Sequence, residues 1–372
     1  MITNQANLSQ QCDSKQKRIV LFLPNWVGDV VMATPAVHAL YTAYPEAKLL
    51  AVCRPYVKQV LDGSPWFSEV IACDKHGSKS ERLFAVASRL RHEQPHIAIL
   101  FSNSLRTALI ARFGGASRIV GYVRYGRGWL LTDRLWQKCD LYGRYQPTPI
   151  IDDYNRLVMK LGIPNPGHRM RLFTTESDES AAKSIWEAHR LDRYSRVVLL
   201  NPGAAFGAAK QWPMESFAQL ARILTQKLSC GVLVLCGPTE RVQARRIAAD
   251  SRSPHVFSLA DAPLSLGVTK ALVRRANLLI TTDSGPRHFA AAFNRPVVTL
   301  FGPTHISWTE TYFEKAVHLQ KPVPCGPCQK RVCPLQHHRC MRELSPADVF
   351  EAVQVLLNRF PERVRIEVPL AA

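Results

Sequence analysis

An α/β chain of two Rossmann-like halves, each built on a parallel sheet, is what the 372-residue sequence predicts. Three observations carry this. Short apolar, β-branched runs such as IVLFL (19–23) and RVVLL (196–200) suit strands buried on both faces. Segments with helical apolar spacing separate them, and strand–helix alternation marks βαβ units. The pattern then restarts after a polar stretch, TTESDESAAKSIWEAHRLDRYSR (174–196).

Taken in order, residues 1–17 read as a disordered tail rich in Gln, Asn and Ser. A strand at 19–24 leads through Gly28-Asp29 into a helix ending before Pro45. Strands follow at 48–54 and 96–102, with a helical stretch at 80–92 between them. The second half predicts strands at 196–203, 231–238 and 277–285 and a last strand at 295–303. Its helices are expected at 216–228, at 240–250 and from Arg287. Ser345-Pro346 supplies the N-cap and first residue of a closing helix. The expected division is a tail at 1–17, a first domain at 18–175, a second at 195–343 and a C-terminal helix at 344–372.

The chain carries 48 Lys+Arg against 29 Asp+Glu, a net charge of +19. Such an excess predicts an anionic partner: nucleic acid, a phosphorylated ligand or an anionic membrane. No apolar run approaches the ~18 residues of a spanning helix. The polar N-terminus lacks the apolar core of a secretory signal, so the ten Cys are expected to be cytosolic and reduced.

Five motifs bear chemistry. In NWVGDVVMATP (25–35), Asp29 follows a Gly at a strand-to-helix turn, where it either faces a ligand cleft or caps the helix. In NPGAAFGAAKQWP (201–213), small residues allow close backbone approach to a ligand, and Lys210 offers a point charge to phosphate. In TTDSGPRHFAAA (281–292), Ser284-Gly285 opens a helix whose first amides form an anion site, with Arg287 and His288 as further donors. Asp283 there holds either the turn or a ribose hydroxyl. Glu240, after a strand and a Gly-Pro turn, can accept from ribose hydroxyls or simply favour a helix start. Cys325, Cys328, Cys333 and Cys340, with His337 and His338 between them, form either a reduced loop or a tetrahedral zinc site. There is no G-x-G-x-x-G fingerprint, D-x-D motif or Walker P-loop, so a dinucleotide site, a metal-bridged diphosphate and Walker-type hydrolysis are not signalled. Arg and Lys are spread rather than clustered, which weighs against a nucleic-acid-binding protein.

VGDVVMATPAVHAL, NPGAAFGAAKQWP, TTDSGPRHFAAAFNRPVVTLFGPT and CGPCQKRVCPLQHHRCMRELSPADV occur in one order along the chain. Together they resemble the lipopolysaccharide heptosyltransferases, the ADP-heptose-using glycosyltransferase family 9, and most of all the heptosyltransferase II type. Types I and III are the alternatives within the family. The resemblance implies a GT-B fold, with the two domains facing a cleft and the C-terminal helix returning to the N-terminal domain. It implies inverting, metal-independent heptose transfer from ADP-heptose to the lipid A-linked inner-core oligosaccharide. The acceptor is then bound by the first domain and the nucleotide-sugar by the second. Asp29 falls on the family's proposed base. Lys210, Glu240, Asp283, Ser284, Gly285 and His288 fall on donor-site positions, and Lys210 also on a catalytic one. No cofactor is expected. A peripheral place on the anionic inner face of the cytoplasmic membrane follows from such an acceptor. A basic face made of Arg106, Arg112, Arg118, Arg124, Arg127 and Arg134 is expected to serve it.

Overall fold

The computed structural model describes residues 16–143 and 145–361. All but the last two residues of the expected N-terminal tail lie outside that range, as do the final residues of the C-terminal segment. The first half runs β1 (Arg18–Phe22), α1 (Val27–Ala43), β2 (Lys48–Cys53), α2 (Lys58–Leu61), β3 (Glu69–Ala72), α3 (Leu83–Glu93) and β4 (Ile97–Leu100). It continues with α4 (Leu105–Phe113), β5 (Arg118–Tyr122), β6 (Asp133–Leu135) and α5 (Ile150–Met159). The second half starts with α6 (Glu176–Ala188), β7 (Val197–Asn201), α7 (Met214–Leu228), β8 (Gly231–Val234), α8 (Arg241–Asp250), β9 (Val256–Ser258) and α9 (Leu266–Arg275). It ends with β10 (Leu278–Thr282), α10 (Pro286–Ala292), β11 (Val297–Phe301), β12 (Ala316–Gln320), α11 (Arg339–Arg342) and α12 (Pro346–Arg359).

Each half is a six-stranded sheet, ordered β3-β2-β1-β4-β5-β6 and β12-β11-β10-β7-β8-β9, and every pairing is parallel. The central strands β4, β7 and β10 are buried along their whole length, as apolar runs covered by helices on both faces require. Strand order reverses beside β1 and again beside β7. Such switch points leave a crevice beyond the carboxyl ends of the strands, and the candidate site lies there.

Three expectations change. Strand 295–303 is not the last, because β12 pairs outside β11 as a half-buried edge. The polar stretch 174–196 is no plain connector. Thr175 and Asp178 form a capping box that opens α6, and Glu179 pairs with Arg274 and Arg275 of α9, tying α6 to the second half ahead of residue 195. Among the described residues the closing helix packs on the second half rather than returning to the first. α12 packs on α7, β11 and β12, and the apolar stripe Val349, Val353, Leu356 and Leu357 is buried there.

The halves are joined by more than chain connectivity. Lys270 of α9, wholly buried, donates to the carbonyls of Val60 (3.3 Å) and Asp62 (3.0 Å) at the end of α2. Burial lowers its pKa to about 8. Tyr312 Oη donates to Asp152 Oδ2 of α5 at 2.9 Å. The N-terminal turns of α1 and α10 meet directly. A Cβ on Gly28 would stand 2.7 Å from His288 Cδ2, and one on Gly285 would stand 2.8 Å from Val27 Cγ1. Only glycine at both positions lets the backbones approach this closely.

Candidate functional site

A cleft of about 670 Å³ opens at this junction. The first half contributes Trp26, Val27, Gly28, Asp29, Met32 and Tyr56. The second contributes the 201–210 loop, the Cys236–Glu240 turn, Leu266 and Thr269 of α9, and Asp283 to Pro286 with His288. The cleft thus gathers Asp29, Lys210, Glu240, Asp283, Ser284, Gly285 and His288, which are scattered over 260 positions of sequence.

Asp29 sits in the first turn of α1 but does not cap it. The N-cap is Trp26, which makes no side-chain cap, and Asp29 has no hydrogen bond or ion pair among the described residues. Its carboxyl is raised to about 7, first by burial and then by the negative charge of Asp283, with Lys210 opposing. A carboxyl poised near neutrality and free of structural partners suits proton transfer.

Asp283 is the hub of a buried charge network. Its Oδ2 accepts from Lys210 Nζ and from Thr304 Oγ1 (2.7 Å), and its Oδ1 accepts from Arg287 Nη1 (3.2 Å). Burial alone would raise this carboxyl, but Lys210 and Arg287 overcome that and hold it at about 2. Asp283 is thus held by two cations at the cleft wall. Arg287 is a correction: only 3% exposed, it is spent on Asp283, Thr309 and His318 and does not line the cleft. His288 does line it, as a neutral imidazole, since burial and then Arg287 lower its pKa well below the usual value. Neither residue lends free positive charge to the cleft. Lys210 also donates to the Asp283 carbonyl (3.0 Å) and lies over the Phe206 ring, 4.6 Å from its centroid.

Ser284 Oγ accepts from Asn201 Nδ2 at 2.9 Å, which pins the turn after β10 to the end of β7. The Ser284 and Gly285 amides have no backbone partner among the described residues. Two helix N-termini, of α1 and α10, therefore point their positive ends at one place, an arrangement that favours an anion. Glu240 Oε2 accepts from Gly237 N (2.8 Å) to fix its turn. The carboxylate lies against Gly203, where a Cβ would come within 2.7 Å of either oxygen.

The other expected groups lie outside the cleft. Arg127 is not on a basic face. It is 0% exposed, and its guanidinium donates to Ser102 O (2.6 Å), Tyr122 O (2.9 Å), Ser104 O (3.3 Å) and Asn103 Oδ1 (2.9 Å). It thereby holds the loop that follows β4. Arg118 is paired with Asp133 at 2.8 Å, while Arg112 and Arg134 are exposed. Cys325, Cys328, Cys333, Cys340 and His337 line one small cavity of about 40 Å³, walled on its other side by Ala209 and Pro303. The four thiols are free, and among the described residues no three His, Cys, Asp or Glu are arranged to hold a metal ion. Three aromatic residues of the lining were not singled out from the sequence: Trp26, Tyr56 and Phe206. Aromatic residues beside glycine-rich turns were the signal available for Trp26 and Phe206.

The sequence profile of glycosyltransferase family 9 (heptosyltransferase) matches residues 83–339. A lipooligosaccharide heptosyltransferase 2 of Campylobacter jejuni is 27% identical over 355 residues, 92% of this chain and 98% of the relative. A lipopolysaccharide heptosyltransferase 2 of Escherichia coli is 26% identical over 350 residues, 91% and 98% of the two chains. The solved structure of E. coli ADP-heptose LPS heptosyltransferase II superposes with a TM-score of 0.73 at 24% identity, covering 93% of this chain and 100% of that one. The two facing sheets are thus a GT-B fold.

Proposed function

The chain belongs to glycosyltransferase family 9, and on that footing we propose that it moves heptose from ADP-heptose to the inner-core oligosaccharide on lipid A, with inversion, as a heptosyltransferase of type II. The observation that carries this reading is the placement of an unpartnered Asp29 opposite the Lys210–Asp283 pair in one cleft. An acceptor hydroxyl held by the first half attacks the anomeric carbon. Asp29 takes its proton, and the bond to ADP breaks with both electrons leaving on the phosphate oxygen. Lys210 and the Ser284 and Gly285 amides meet the charge that develops there. Glu240, already fixed by Gly237, has lone pairs left for ribose hydroxyls.

In this reading the departing charge needs no divalent ion, and the rate is the same with EDTA as with Mg²⁺. The Cys325, Cys328, Cys333 and Cys340 loop is structural rather than catalytic. If zinc is its staple, metal analysis gives about one equivalent per chain and chelation lowers the melting temperature. The enzyme works as a peripheral protein on the inner face of the cytoplasmic membrane. Exposed Phe84, Phe113, Trp129 and Trp136 on the first half, with Arg112 and Arg134, support such a contact. Among the described residues no helix is long and apolar enough to cross a membrane.

The test is to incubate the protein with ADP-heptose and a set of truncated core acceptors and weigh the products. One added heptose supports the reading, and the identity of the truncation that accepts it separates type II from types I and III. No transfer to any acceptor, with ADP-glucose or another nucleotide-sugar consumed instead, overturns it.

A further inference from the structure

We infer that Arg331, carried on the cysteine-rich loop, is a donor-site residue whose guanidinium closes the mouth of the cleft and binds the diphosphate of the nucleotide-sugar. The inference rests on the reading of the cleft as an ADP-heptose site.

The guanidinium carbon of Arg331 lies 5.4 Å from the centroid of the Phe206 ring and 5.9 Å from that of Trp26. Both rings line the cleft, one from each half. Phe206 also carries Lys210, so the two cations share one aromatic support. The loop holding Arg331 is docked rather than loose. Its Arg331 carbonyl accepts from Ala209 N (3.0 Å), and Gln329 N donates to Pro303 O (2.8 Å). Gly207 passes so closely beneath it that a Cβ there would stand 2.4 Å from the Arg331 oxygen. The Cys-lined cavity borders these same residues, Ala209 and Pro303.

Charge supplies the reason. The diphosphate of a nucleotide-sugar is a dianion, yet the cations in the cleft and behind its wall are already engaged. Lys210 and Arg287 both bind Asp283, His288 is neutral, and Glu240 adds a negative charge. Arg331 is exposed and has no carboxylate partner among the described residues. Among the described residues the Arg331 guanidinium has two aromatic neighbours and no hydrogen-bond partner, so its N–H groups are available. Those groups match a pair of phosphate oxygens. Because Trp26 and Phe206 come from opposite halves, bound diphosphate under Arg331 also ties the two halves together.

Calorimetric titration of wild-type, Arg331→Ala and Arg331→Lys proteins with ADP, AMP and adenosine tests this. A charge-assisted pair of bonds predicts that Arg331→Ala weakens ADP binding roughly 10- to 100-fold. Adenosine binding and melting temperature stay unchanged, AMP falls between, and Arg331→Lys recovers part of the loss. Added salt narrows the gap between wild type and Arg331→Ala for ADP. An equal loss for ADP and adenosine means that Arg331 only supports the loop, and the inference fails. Unchanged ADP affinity in Arg331→Ala, with wild type binding ADP, also overturns it while leaving the site reading intact. A wild-type protein that binds no ADP overturns that reading, and the inference with it.

Discussion

At the scale of single residues, Asp29 and Lys210 separate chemistry from architecture. Asp29→Asn is expected to lower kcat by roughly 10²–10⁴ with ADP binding retained. The pH profile follows from the raised carboxyl: kcat/KM climbs as pH passes through about 7, because the base must be ionised. Stability moves the opposite way. A carboxyl raised from 3.8 to about 7 by folding contributes stability that is complete below 3.8 and is lost as pH rises through 7. Asp29→Asn, measured by thermal melting at pH 8, therefore holds or gains stability, whereas a helix-capping Asp would lose it. Lys210→Ala removes one cation from a buried carboxylate. Urea unfolding should show a loss of about 3 kcal/mol, and kcat should fall about 10²-fold. For Asp29 the Gly-Asp turn left two places to point, the cleft or the helix cap, and it was the family resemblance that singled it out as the base. Asp283's true partner was not legible: Lys210 lies 73 residues away, and only the fold brings them together.

At the scale of elements, the contact between α1 and α10 rests on two glycines. Gly285→Ala drives a methyl group into Val27, an overpacking that costs ~1–3 kcal/mol or pushes the helices apart. A lowered melting temperature together with a lowered kcat/KM is expected, and a variant with unchanged kcat/KM would show that the closeness of the helices is irrelevant to the reaction. The apolar strands around each switch point could be read directly, since burial on both faces leaves mostly β-branched and aliphatic residues in β1, β7 and β10. Several of the remaining strands were hidden for physical reasons. β3 and β6 are short and carry charges, β9 is three residues long, and β12 is a half-buried edge containing His318 and Gln320. α6 was masked by its polarity, although its capping box was spelled out in Thr175 and Asp178. Arg331 was overlooked because it lies between cysteines whose spacing suggested metal, and spacing does not say which side chain leans over a neighbouring cleft.

At the scale of the whole molecule, the net charge of +19 meets a membrane question. Aromatics are exposed on the first half, Trp129 at 72% and Phe84 at 78%, and so are Arg112 and Arg134. Sedimentation with vesicles should show binding that requires anionic lipid and weakens with salt, and Trp129→Ala with Phe84→Ala should reduce it several-fold while transfer to a soluble acceptor persists. Vesicle binding indifferent to lipid charge would remove the electrostatic part of the argument. The place where the two halves touch has its own consequence. Gly28 and Gly285 approach closely beside Asp29 and Ser284, so the proposed reaction centre sits at a contact between the halves rather than at the rim of the cleft. In any rotation that keeps this contact, atoms travel in proportion to their distance from it. Such a rotation would part the outer lips for the proposed bulky acceptor while Asp29 and the Ser284 turn scarcely change their separation. In such a motion, entry of a large acceptor and the alignment of Asp29 with the donor turn would be decoupled by leverage alone.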